Sequence, residues 1–99
     1  MNMQHLMAQA QKMQRDMEKK QQEVRNSEYT GSSQLVDVVI SGDRKIKSVK
    51  IKTTGTMDEE DLEMLEDMIK IAVNDANEKL EKDLESKMGP MAKQLGGLM

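Results

Sequence analysis

Two stretches of this 99-residue chain, 3–24 and 62–88, each carry a narrow apolar seam at helical spacing, and the residues between them are too few to cover both. In the first, Met3, Leu6, Ala10, Met13, Met17 and Val24 fall on alternating steps of three and four, with Lys20 the one intruder at a seam position. In the second, Leu62, Leu65, Ile69, Ala72, Val73, Ala76, Leu80, Leu84 and Met88 repeat in the same way. A seam this narrow, flanked by Gln, Lys and Glu, suits helix against helix better than helix against a broad sheet. The expected architecture is two long helices around a small strand-rich insert, with self-association supplying the missing cover. Met3, Leu6, Met13, Met17, Leu80 and Leu84 are the expected contacts between copies.

Local signals set the boundaries. The first helix is expected to run to about Arg25, with Asp16–Lys20 and Lys19–Glu23 placed for contacts one turn apart. Glu28-Tyr29-Thr30 before Gly31-Ser32-Ser33 predicts a short strand and a turn. Leu35 to Ile40 is dense in β-branched residues, with Val36, Val38 and Ile40 on one face, and predicts a strand. Ser41-Gly42-Asp43-Arg44 supplies turn residues, and a last strand follows over Lys45 to Lys52 with Val49 and Ile51 facing inward. Asp58 is an N-cap candidate, Met57 and Leu62 are placed as a hydrophobic staple, and the acids at 59 to 61 suit the positive end of a helix dipole. The first half of this second helix is the broader face, expected on the sheet, and beyond Leu80 its stripe narrows as a protruding helix pair would require. Glu66–Lys70, Asp75–Lys79, Glu78–Lys82 and Asp83–Lys87 are i,i+4 pairs in the favourable order. Gly89-Pro90 ends the helix. The fold expected is α/β of the α+β kind: helix, three-stranded antiparallel meander, long helix, in a single domain over 1–90, with 91–99 a flexible tail.

The residue inventory excludes most catalytic chemistry. There is one histidine, His5, one aromatic, Tyr29, and no cysteine, so nucleophilic triads and histidine or thiolate metal clusters are ruled out by composition. Asp58-Glu59-Glu60-Asp61 lacks the glycine turn and alternating ligands of a calcium loop and is read as a helix start. No cofactor and no small-molecule substrate are expected. No apolar run has the length of a membrane span, and with no cysteine the chain is expected to be cytoplasmic.

Charge is distributed unevenly. Residues 58 to 85 carry three basic and twelve acidic side chains, a net of −9, whereas 1–26 and 27–57 carry five basic and three acidic each, +2 apiece. Two basic sets stand out: Lys12, Arg15, Lys19, Lys20 and Arg25 along the first helix, and Arg44, Lys45, Lys47, Lys50 and Lys52 within nine residues that contain no acid. Lys47 shares its strand face with Val49 and Ile51, while Lys50 and Lys52 lie on the other with Ser48. Such sets fit phosphate, and they also serve only to keep an edge strand soluble; without stacking aromatics, single-stranded nucleic acid is the poorer fit.

The order of elements resembles the YbaB/EbfC family of bacterial nucleoid-associated proteins. The residues that carry the likeness are the Met/Gln-rich run Met7-Ala8-Gln9-Ala10-Gln11-Lys12-Met13-Gln14, the strand and turn Leu35-Val36-Asp37-Val38-Val39-Ile40-Ser41-Gly42, the helical stretch from Asp61 through Ala76, DLEMLEDMIKIAVNDA, and the closing Lys87-Met88-Gly89. The resemblance implies a small homodimer with protruding helical arms that binds DNA in the nucleoid. It carries over no contact residues, because the family has no short binding motif. The combined expectation is a homodimer that grips double-stranded DNA mainly by phosphate contacts with little sequence preference, using residues among Lys12, Arg15, Lys19, Lys20, Arg25, Arg44, Lys45 and Lys47. The alternative is a structural or adaptor dimer that binds another protein; an enzyme is disfavoured by the missing side chains.

Overall fold

The structure, a computed structural model, describes residues 2–53 and 55–89. Helix α1 (Met3–Asn26) is followed by strands β1 (Glu28–Ser32), β2 (Val36–Ser41) and β3 (Ile46–Ile51), then helix α2 (Glu59–Met88). The architecture is α+β, with one antiparallel sheet in the order β1-β2-β3. The expected tail, 91–99, lies outside the described residues.

Both helices start on polar caps that satisfy otherwise orphaned amides. The Asn2 side chain accepts from the Gln4 amide at 3.1 Å to begin α1. At α2, the Asp61 amide donates to the Asp58 carboxylate at 2.9 Å and the Asp58 amide donates to Asp61 at 3.2 Å, a reciprocal capping box behind an acidic first turn. Gly89, at φ +62°, closes α2 in a backbone conformation other residues rarely adopt. Along α2, Asp75–Lys79, Glu78–Lys82 and Asp83–Lys87 form the ion pairs their spacing predicts. Among the described residues Glu66–Lys70, Asp16–Lys20 and Lys19–Glu23 do not, as befits exposed pairs worth a few tenths of a kcal/mol at roughly 0.3–0.5.

α2 lies across β1 and β2 and buries Ala72, Ala76 and Leu80 against Tyr29, Val36, Val38 and Ile40. Each of the large members contributes roughly 1.5–3 kcal/mol over its exposed state. Leu80 is 1% exposed. Its spacing marked it as a contact between copies, but strands of its own chain supply the cover, so the argument that placed it at an interface no longer applies to it. Leu84 is half-buried beside it.

The sheet differs from expectation at both edges. β1 runs on through Gly31 and Ser32, which pair with Val38 and Asp37, where a turn was expected. Gly31 is buried beneath α2: a Cβ there would collide with the Ala72 carbonyl oxygen and the Ala76 amide and lie 2.8 Å from the Ala76 Cβ. This glycine sets the helix-to-sheet distance. On the far side, Val49 and Ile51 pair with the buried Val38 and Val36, so they do point to the inner face, yet every residue of β3 is exposed because α2 does not extend over that strand. Val39 pairs with Ser48 and Ile40 with Ile46, which makes Lys47 the extra residue of a β-bulge and brings Ile46 to the inner face as well.

Candidate nucleic-acid interface

α1 touches the rest of the protein through its second half. It runs antiparallel to the end of α2, with Met17 and Lys20 beside Lys87 and Met88, and Val24 beside Leu80 and Leu84. Every residue from Asn2 to Asp16 is exposed, including the seam residues Met3 at 75%, Leu6 at 47% and Met13 at 59%. Met17 is half-buried. The first half of α1 is thus an arm.

From that arm into the second half of α1, the eight-residue span from Lys12 through Arg15 to Lys19 keeps three bases within about 60° of one another and roughly 10 Å of axis, on the side away from α2. Lys20 stands at a seam position instead, beside Lys87 and Met88, and Arg25 falls near the C-terminus of α1, on another side of the helix. Among the described residues none of these five is in an ion pair. The contrast with α2 is sharp in kind: Lys79, Lys82 and Lys87 are each neutralised by an acid one turn earlier. The arm therefore offers unspent positive charge.

The second basic set sits on the β2–β3 hairpin and is mostly engaged. Its turn is held by Arg44 N–H donating to Ser41 O at 2.9 Å and by Ser41 N–H donating to Lys45 O at 2.9 Å. Arg44 occupies the left-handed region at φ 65°, the position that commonly holds glycine in a three-residue hairpin loop. Its guanidinium pairs with Glu81 on α2. Lys45 lies 3.8 Å from Asp43, and Lys52 lies 3.2 Å from Asp37. The Ser41 hydroxyl, then Lys45, hold the Asp43 carboxyl below its usual range; Asp37 is held low by Ser32 and then by Lys52. Lys47, on the bulge, is exposed and has no ion-pair partner among the described residues.

The two sets meet at one point. Arg25 and Arg44, with Gln21, Val24, Leu80 and Leu84, line a cavity of about 190 Å³ where the hairpin turn abuts the end of α1. Gly42 makes that approach possible. A Cβ there would run into the Val24 carbonyl and sit 2.7 Å from the Arg25 Cα, while the Gly42 amide donates to Ser27 O at 3.0 Å. The sequence marks Gly42 as a turn residue but not as the seat of the helix.

Chemically the arrangement offers phosphate-sized positive charge on an exposed arm. Among the described residues no group of three or more His, Cys, Asp or Glu side chains could hold a metal ion, and no helix is long and apolar enough to cross a membrane. Residues 1–95 match the sequence profile of the YbaB/EbfC DNA-binding family. The chain is 47% identical over 97 residues to a nucleoid-associated protein of Lactococcus lactis subsp. lactis, covering 96% of this chain and 97% of that one. It is 42% identical to one from Enterococcus faecalis, over 97% and 93% of the two chains, and 43% identical to one from Streptococcus agalactiae, over 93% and 94%.

Proposed function

Because this chain belongs to the YbaB/EbfC DNA-binding family, we propose that it binds duplex DNA as a homodimer in the nucleoid, chiefly through phosphate contacts and with low sequence specificity. The relatives' names, nucleoid-associated protein, support the setting. The observation that carries the mode of binding is the exposed stripe Lys12, Arg15 and Lys19, unpaired among the described residues. Phosphate attracts any such stripe, and two of its three members are lysines, which lack the guanidinium fork that reads guanine, so register is set with little reading of sequence. The −9 charge of residues 58–85 repels a duplex from the exposed side of α2 and directs it to the arm.

Gel shifts on unrelated duplexes across a salt series test this reading. A dimer neutralising about six phosphates gives log K falling against log salt with a slope near −5, and near-equal affinities among sequences. A slope near zero, or capture of a protein partner with no duplex bound at low salt, supports the adaptor reading instead.

A further inference from the structure

Only three of the fifteen lysines and arginines in this chain are arginines, and two of those three, Arg25 and Arg44, line the same cavity where the β2–β3 turn meets the end of α1. Its floor is apolar: Val24 and Leu80 are buried and Leu84 is half-buried, while Gln21 adds an amide at the rim. A guanidinium is the side chain best matched to phosphate, because its planar fork donates two parallel hydrogen bonds to paired oxygens. Beside an apolar floor its charge is screened less than in open water. Arg25 stands on a different side of α1 from Lys12, Arg15 and Lys19, so the cavity is a site apart from that stripe.

The two arginines differ in what holds them. Arg25 has no ion-pair partner among the described residues, whereas Arg44 is held by Glu81 of α2. That pair is unlike the others. Lys79, Lys82 and Lys87 pair with acids one turn away on their own helix, and Lys45 and Lys52 pair with Asp43 and Asp37 within the hairpin. Arg44–Glu81 is the one ion pair among the described residues that joins the hairpin to α2, across 37 positions of sequence. Its side chains are 51% and 54% exposed, so the pair adds little stability and costs little to open. A carboxylate presents paired oxygens to a guanidinium much as a phosphate does. Glu81 therefore occupies the place that an anionic ligand of Arg44 would take.

We propose that Arg25 and Arg44, with the Gln21 amide, form a phosphate site at the foot of the arm, and that Glu81 covers it until a phosphate displaces its carboxylate from Arg44. This rests on the phosphate-contact reading of DNA binding and adds a gate to it. The ligand chemistry is a phosphate mono- or diester, supplied by a strand of duplex DNA or by a small phosphate. Once displaced, Glu81 turns to solvent but its charge stays near. The site thus holds phosphate weakly while Glu81 is charged, and more tightly when that charge is removed.

Fluorescence anisotropy with duplex DNA tests the gate on the full chain, with circular dichroism to confirm folding. Glu81→Gln, at an exposed position, raises affinity by about threefold per site, the factor that matches the worth of an exposed pair. Arg25→Gln and Arg44→Gln each lower it. In Arg44→Gln/Glu81→Gln the gain disappears, because Glu81 acts through Arg44. An equal gain with and without Arg44 means that Glu81 acts only as part of the acidic field of α2, and a loss means that it positions Arg44; either result overturns the proposal. The source of the phosphate is read from the Arg25 and Arg44 Nε–H resonances of Glu81→Gln. Movement of both at millimolar sodium phosphate, against sodium chloride at equal ionic strength, identifies a small phosphate. Movement with duplex alone identifies the DNA backbone, and movement with neither overturns the site. Duplex binding indifferent to all three residues leaves the DNA reading standing and refutes the site; phosphate binding without duplex binding does the reverse.

Discussion

The Tyr29 hydroxyl donates to the Asp83 carboxylate at 2.5 Å, tying the start of β1 to the second-last turn of α2. Tyr29 is 8% exposed and is the one aromatic side chain in the protein. Burial, reinforced by the Asp83 charge, pushes its phenol up to about 12 from 10. A group whose folded pKa is raised favours the protonated form in the folded state. Its contribution is therefore complete below pH 10 and is lost as pH rises from about 10 to about 12.

Urea unfolding at pH 8 and pH 11 is expected to show half of this loss in the native protein, about 1.4 kcal/mol of the roughly 2.8 kcal/mol that the full window carries at about 1.4 kcal/mol per pKa unit. Tyr29→Phe is less stable at pH 8 because it leaves the half-buried Asp83 with only Lys87, yet it declines less between the two pH values. An equal decline in both proteins would show that the phenol is not the group responsible.

Gly31→Ala is expected to destabilise by about 1–3 kcal/mol or more, because backbone atoms of α2 occupy the place its Cβ needs and a helix cannot yield locally as a side chain can. The midpoint of chemical denaturation measures it. An unchanged midpoint would mean that α2 is seated further from β1.

Arg44→Gly separates fold from function at the hairpin. Glycine relieves about 1 kcal/mol of left-handed strain, and the exposed pair with Glu81 returns at most about that much, so stability holds or rises. If Arg44 contributes to DNA binding, affinity falls in the same variant. Thermal unfolding and a gel shift on one sample give both readings. Gly42→Ala, by contrast, is expected to lower stability, since its Cβ would meet the backbone of α1.

Lys12→Gln/Arg15→Gln/Lys19→Gln is expected to lower affinity for duplex DNA more than Lys47→Gln/Lys50→Gln/Lys52→Gln, and to make the salt slope shallower by up to about three per protomer. Fluorescence anisotropy at two salt concentrations decides the order. A larger loss from the strand triple would move the contact surface to the sheet.

How much of this could be read from residues alone depends on what a pattern encodes. Seam spacing and capping residues are local, so α1, α2 and the Asp58 N-cap are legible, as is β2 from its β-branched alternation, whereas the return bond from the Asp58 amide to Asp61 is seen only in the structure. Gly31 is not legible, since a glycine after a short strand looks the same whether it turns the chain or admits a helix. Val49 and Ile51 point where their alternation says, but whether anything covers them depends on where α2 crosses. Leu80 shows the converse: three-and-four spacing does not say whether the covering surface belongs to the same chain. For the candidate site, the basic clusters were legible, whereas the engagement of Arg44 by Glu81 and the unpaired state of the arm bases required coordinates.

The seat of α1 on Gly42 has a mechanical side. The helix is about 36 Å long and is held through its second half only. Gly42 and Ser27 act as a fulcrum, and a tilt of about 5° there sweeps the far tip through roughly 3 Å for a rod of this length. Reach and span at the tip are thus trimmed at a hairpin far from it, so that a change of a single methyl group at position 42 re-aims the whole arm.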